Sequence, residues 1–158
     1  MTTAIQTKIT ANWTKEKLQE VSSNSIVNNY IAVTKMFEKI SPELRLEFRT
    51  MMAEMKVNYY KSLNVKTPMD LAKAMAEFDA NVFGSVVIIK GEENKVAIEF
   101  ESCGCWTKMQ KHSCFSQEMG ASLAECFQIS IDLITKEMGF KGNVEFTSDS
   151  KAIIHISK

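Results

Sequence analysis

The sequence predicts an α+β fold in which N-terminal helices pack on a ββαββ unit built from antiparallel hairpins. Three observations lead there. Apolar residues recur at steps of three and four through residues 1–84, the period changes to two after Ser85, and one more amphipathic stretch separates two alternating pairs. All 158 residues are expected to form a single domain, with 1–84 mainly helical and 85–158 forming the mixed core.

The first helix is marked by Ile26, Tyr30, Val33, Phe37 and Ile40, which share one face. Ser41-Pro42-Glu43 then combines an N-cap, a proline at the first helical position and an acid in the first turn. The second helix that follows carries the stripe Leu44, Phe48, Met51 and Met55, and its pattern breaks near Asn64. Thr67-Pro68-Met69-Asp70 repeats the start signal, with Asp70 close to a capping-box position. Leu71, Met75, Phe78 and Val82 form the third stripe, and Gly84 is a natural C-terminal stop.

The run Val86-Val87-Ile88-Ile89 is short and β-branched, Gly91-Glu92-Glu93-Asn94 is turn chemistry, and Val96, Ile98 and Phe100 alternate with Ala97 and Glu99. That is a hairpin. Residues Cys103 to Cys114 read as a loop. Leu123, Phe127, Ile131, Ile134 and Met138 then mark a long helix ending at Gly139. Val144 and Phe146, a Ser148-Asp149-Ser150 turn, and Ile154 with Ile156 make the second hairpin. No repeat or low-complexity tract interrupts this order.

Lys plus Arg (19) equals Asp plus Glu (19), which argues against a role resting on counterion release from nucleic acid. Lys108 to His112 is the one local basic stretch worth naming. The start, Met1 to Thr14, lacks the pattern of a signal peptide, and no apolar run reaches the roughly 20 residues needed to span a bilayer. A cytoplasmic protein with no membrane partner is therefore expected, and its four cysteines are read as thiols, ligands or redox groups.

The chemistry is expected in the segment from Cys103 to Cys114. Cys103 and Cys105 can converge on one soft ion, with Gly104 allowing a tight turn between them. His112 and Cys114 would complete three thiolates and one imidazole, a donor set suited to zinc or an iron-containing centre. A hydrolase is the rival reading. Cys114 would be the nucleophile, activated by the N-terminus of the following helix, with His112 as base and Glu101 or Glu118 orienting it. A thiol that simply packs is the third, and Cys126 on the apolar stripe fits that best. Trp106 is either a pocket wall or a core anchor. His155, opposite Ile154 and Ile156 on the last strand, is expected to face solvent. The ten methionines fall largely on helical stripes, and they leave room for an assembly role in which the helices form a homodimer.

From about Glu54 to Lys158 the chain resembles the 4-vinyl-reductase-like small-ligand-binding domains and the related L-2-amino-thiazoline-4-carboxylic acid hydrolase family. The resemblance is carried by Leu71-Ala-Lys-Ala-Met-Ala-Glu77 leading into a hairpin, and by Cys103 and Cys105-Trp106 where those families often have Cys-Pro-aromatic. Cys114 in the loop, the helix ending Met138-Gly139 and the closing hairpin continue it. The resemblance implies a ββαββ unit enclosing a pocket for a small molecule; Trp106 and Phe115, beside the cysteines, are the residues expected to line it. It also implies that nearby cysteines bind metal or sense redox state.

Overall fold

The computed structural model describes residues 13–148 and 151–158. The elements follow in the order α1 (Lys15–Ile40), α2 (Pro42–Ser62), α3 (Pro68–Phe83), β1 (Val86–Glu92), β2 (Lys95–Ser102), α4 (Gly104–Gln110), α5 (Gln117–Glu137), β3 (Lys141–Ser148) and β4 (Lys151–Ser157). The α+β expectation holds: three helices precede two antiparallel hairpins, and α4 and α5 lie between the hairpins where one helix was expected. The four strands form one antiparallel sheet in the order β1-β2-β4-β3. The turn expected at Ser148-Asp149-Ser150 falls largely outside the described residues.

Two helix starts and one stop behave as their sequences dictate. The Ser41 side chain accepts from the Glu43 N–H, and Pro42 occupies the first turn. Thr67 and Asp70 form a reciprocal capping box, each side chain accepting the other's backbone N–H. Gly84 closes α3 in the left-handed conformation at φ 73°, where a Cβ would be strained.

The sheet turns one face to the helices. Val96, Ile98 and Phe100 of β2 and Ile154 and Ile156 of β4 are buried there beneath Leu71, Ala72 and Met75 of α3 and Ile131 and Ile134 of α5. Burying each of the larger aliphatic side chains contributes about 1.5–3 kcal/mol. Where α5 crosses β3, a Cβ on Gly142 would collide with the buried Thr135, so the close approach demands glycine. A second, smaller cluster joins Val27 and Ile31 of α1, Phe83, Met109 of α4, and Met119 and Leu123 of α5. His155 faces solvent as expected and lies 3.5 Å from the Glu145 carboxylate. Among the described residues no helix is long and apolar enough to cross a membrane.

Three expectations need correction. The first helix begins at Lys15, well before Ile26. Thr14 caps it, and its first turns tie to α3 because Gln19 Nε2 donates to the carbonyls of Ala80 and Asn81 at 3.1 and 2.7 Å. Its buried line is Ser23, Val27, Ile31 and Thr34. Two of those four are small hydroxyl residues, and Ser23 satisfies itself by donating to the Gln19 carbonyl at 2.7 Å, so an apolar stripe does not reveal them.

Most of the stripe expected to bury α2 points outward: Met51 is 57% exposed and Met55 66%, and Leu44 is exposed as well, while Phe48 is half-buried with its ring 5.6 Å from that of Phe37. The inward face is Arg49, Ala53, Val57 and Tyr60. A helix apolar on two sides gives periodicity no way to choose between them.

The segment after β2 is not all loop. It contains α4, whose seven residues are too short to show a helical period. The glycine of Cys103-Gly104-Cys105 has a different reason from the tight turn expected. A Cβ there would overlap the Phe83 carbonyl, because α4 docks directly on the end of α3. The docking is completed by the Gly104 N–H donating to Ser85 Oγ and Lys108 Nζ donating to the Phe83 carbonyl, both at 3.0 Å.

Candidate functional site

A cavity of about 620 Å³ lies between the helices and the inner face of the sheet. Each wall comes from a different element. α2 supplies Arg49, Lys56 and Tyr60, and α3 supplies Phe78, Asp79 and Phe83. β2 supplies Phe100 and β4 Ile154, α4 supplies Cys105 and Trp106, and α5 supplies Gly120, Cys126 and Phe127. The α2 contribution follows from spacing: positions 49, 53, 56 and 60 recur at three and four residues and so share one helix face. At α5 the wall is thinned by Gly120. A Cβ there would stand 3.0 Å from the Phe115 ring and 3.4 Å from Trp106, which meet edge to face at 5.7 Å between centroids.

The cavity is mainly apolar, yet it holds polar groups without full partners. Arg49 is only 8% exposed. Its guanidinium lies 5.3 Å from the Tyr30 ring centroid and 5.9 Å from that of Phe48, and Nη2 donates to Thr34 Oγ1 at 3.3 Å. Among the described residues Nε has no hydrogen-bond partner, and no carboxylate pairs with Arg49. The indole Nε1 of Trp106 is likewise buried without a partner among the described residues. Buried donors of this kind cost about 1–3 kcal/mol each when unmet, more for a charged group.

Asp79 shares this space. Burial pushes its carboxyl up from 3.8 to about 6, against the opposing pull of Lys56. Burial also raises the Tyr60 hydroxyl, aided by the charge of Asp79. The Cys105 thiol is pushed up to about 12, chiefly by burial and then by Cys103 and Asp79. Cys103 is raised for the same first reason. Its Sγ accepts the Trp106 N–H at 3.4 Å and so caps α4. Both thiols are therefore held protonated, which suits packing or a neutral ligand contact more than nucleophilic attack.

The residues expected to act together are distributed between two places. Cys103, Cys105, Trp106 and Phe115 line the cavity. His112 and Cys114 sit in the turn that follows α4 and do not line it. His112 Nδ1 accepts the Cys114 backbone N–H at 3.2 Å, and the Cys114 thiol is exposed with Ser113 Oγ 4.0 Å away. The long helix begins at Gln117 and is capped by Ser116, so Cys114 lies outside its first turn. Glu118 is spent on that turn: its own backbone N–H and Ser116 hold its carboxyl below the usual range. Among the described residues, no group of three His, Cys, Asp or Glu side chains stands close enough to hold a metal ion.

Sequence reasoning missed Arg49, Lys56, Tyr60 and Asp79. The available signal was a pair of cations in register with small apolar residues on the weaker stripe of α2, a pattern that marks a polar group carried into an interior. Cys126 is buried, as expected for a packed thiol, but it also reaches the cavity wall. No family model matches the sequence, and no curated protein is significantly similar to it.

Proposed function

We propose that this protein binds a small, largely apolar molecule in the cavity between α2, α3, α5 and the sheet. The observation that carries this reading is the cavity itself. Its volume of about 620 Å³ falls within the range of roughly 300–1,000 Å³ typical of small-molecule sites, and an apolar lining with a few unsatisfied donors is how such sites combine affinity with orientation. The resemblance to 4-vinyl-reductase-like domains supports the same reading, since those also enclose a small ligand within a ββαββ unit. Trp106 and Phe115 then serve as walls, and Cys103 and Cys105 contribute polarisable, protonated contacts.

The test uses a neutral solvatochromic dye such as Nile red. The native chain is expected to take it up with a blue shift, while Ala124→Trp, which projects a large ring from α5 into the cavity, removes the uptake. Equal uptake by the two proteins, or none by the native chain, rejects the reading.

A second reading rests on a separate observation: Leu44, Met51 and Met55 recur at helical spacing on α2 and are all exposed. A second copy of the chain packing on this face would bury them. Light scattering is expected to show a dimer that Met51→Lys with Met55→Lys dissociates. A strict monomer in the native protein rejects it.

A further inference from the structure

The polar groups of the cavity are unequally served, and the inequality specifies a ligand. Lys56 and Asp79 act on each other, Lys56 drawing the Asp79 carboxyl down against its burial. Arg49, seven residues before Lys56 on the same helix, has no such counterpart among the described residues. Two rings cover its guanidinium, but a ring face does not accept the in-plane N–H bonds, and among the described residues only Nη2 finds an oxygen. A guanidinium keeps its charge, so an interior site leaves it seeking an anion. Trp106 Nε1, a donor and never an acceptor, lines the same cavity and is also unmet among the described residues.

Resting on the cavity reading above, we infer that the natural ligand is an apolar monocarboxylate, its carboxylate held by Arg49, with Trp106 Nε1 as a second donor to the same molecule. A single carboxylate matches the donors. It offers two acceptor oxygens, pairs with a guanidinium in a planar fork, and brings one negative charge to a buried guanidinium that pairs with no carboxylate among the described residues. The rest of the ligand meets Phe78, Phe100, Phe127 and Ile154, which calls for hydrocarbon.

The experiment is calorimetric titration of the full chain with decanoate, decanol and methyl decanoate. Decanoate is expected to bind at least about tenfold more tightly than the ester, the size of one charge-assisted hydrogen bond. Arg49→Met should bring decanoate down to the affinity of the ester and leave the ester unchanged, whereas Trp106→Phe should cost decanoate about threefold. Equal binding of acid and ester to the native chain overturns the carboxylate inference but leaves the cavity reading standing, as does an undiminished acid preference in Arg49→Met. Binding of none of the three compounds overturns both. Should Arg49→Met fail to fold, the comparison of acid with ester on the native chain decides alone.

Discussion

The two ends of the Cys103–Cys114 segment are separated by a single short helix and live in opposite surroundings. At the first end, Cys103 and Cys105 are drawn into an apolar cavity by α4, which is held against the end of α3 through Gly104, Ser85 and Lys108. At the other end, Cys114 stands exposed in a turn, with His112 engaged by its backbone and not by its thiol. Nearness in sequence suggested one four-ligand cluster. The docking of α4 instead makes the first pair part of a wall and leaves the second at the surface. Spacing along a chain says which thiols can meet, and packing says which do.

The strongest way to break this contrast is to undock α4. Gly104→Ala forces a methyl group onto the Phe83 carbonyl and should destabilise the fold by about 3 kcal/mol, the upper range for overpacking. Urea unfolding measures it, and a loss below about 1 kcal/mol would show that α4 is not anchored there.

The next effect concerns reactivity. With its thiol pushed up to about 12 by burial, Cys105 should alkylate at pH 8 at least about a hundredfold more slowly than the exposed Cys114. Mass spectrometry of iodoacetamide-treated protein reads both sites at once, and comparable rates would erase the distinction between the two ends.

Asp79 sharpens the cavity side. Its carboxyl is raised from 3.8 to about 6 by burial, so the folded state binds this proton more tightly than the unfolded state. The stability it contributes is fully present below about 4 and is lost as pH rises through about 6. Asp79→Asn should therefore stabilise the protein at pH 8 by about 2 kcal/mol and have little effect at pH 4. Equal effects at both pH values would mean that burial does not govern this group.

The smallest effect is expected at the exposed end. Cys114→Ser should change stability by less than about 0.5 kcal/mol, as for surface substitutions, and should leave dye uptake by the cavity intact. A marked loss of either would draw Cys114 back toward the site.

Elements with chemical punctuation were legible without coordinates. Thr67-Pro68-Met69-Asp70 announces α3, Ser41-Pro42 announces α2, and the alternation at Val96, Ile98 and Phe100 places a strand with one buried face. The candidate site was legible in part. Trp106, Cys103 and Cys105 were singled out by residue type, and the structure brings them to one cavity. Arg49, Lys56 and Asp79 were not, because a charged side chain on a helix normally signals the solvent face. The buried line of α1 was obscured in a related way by Ser23 and Thr34, whose hydroxyls are satisfied locally or by Arg49.

By itself, then, the sequence determined much of the local structure: where α2 and α3 start, where α3 and α5 stop, where the period changes, and the α+β order that results. These depend on interactions between residues a few positions apart, such as caps, turns and side-chain periodicity. Only the tertiary structure decided which side of α2 faces inward, that α4 forms and docks on α3, and that Arg49 and Trp106 bring to one cavity donors unmet among the described residues. Each of those outcomes rests on a contact between residues far apart in the chain, such as Gly104 with Phe83 or Arg49 with Thr34. A helix with apolar residues on both sides carries no local preference that could have chosen among them.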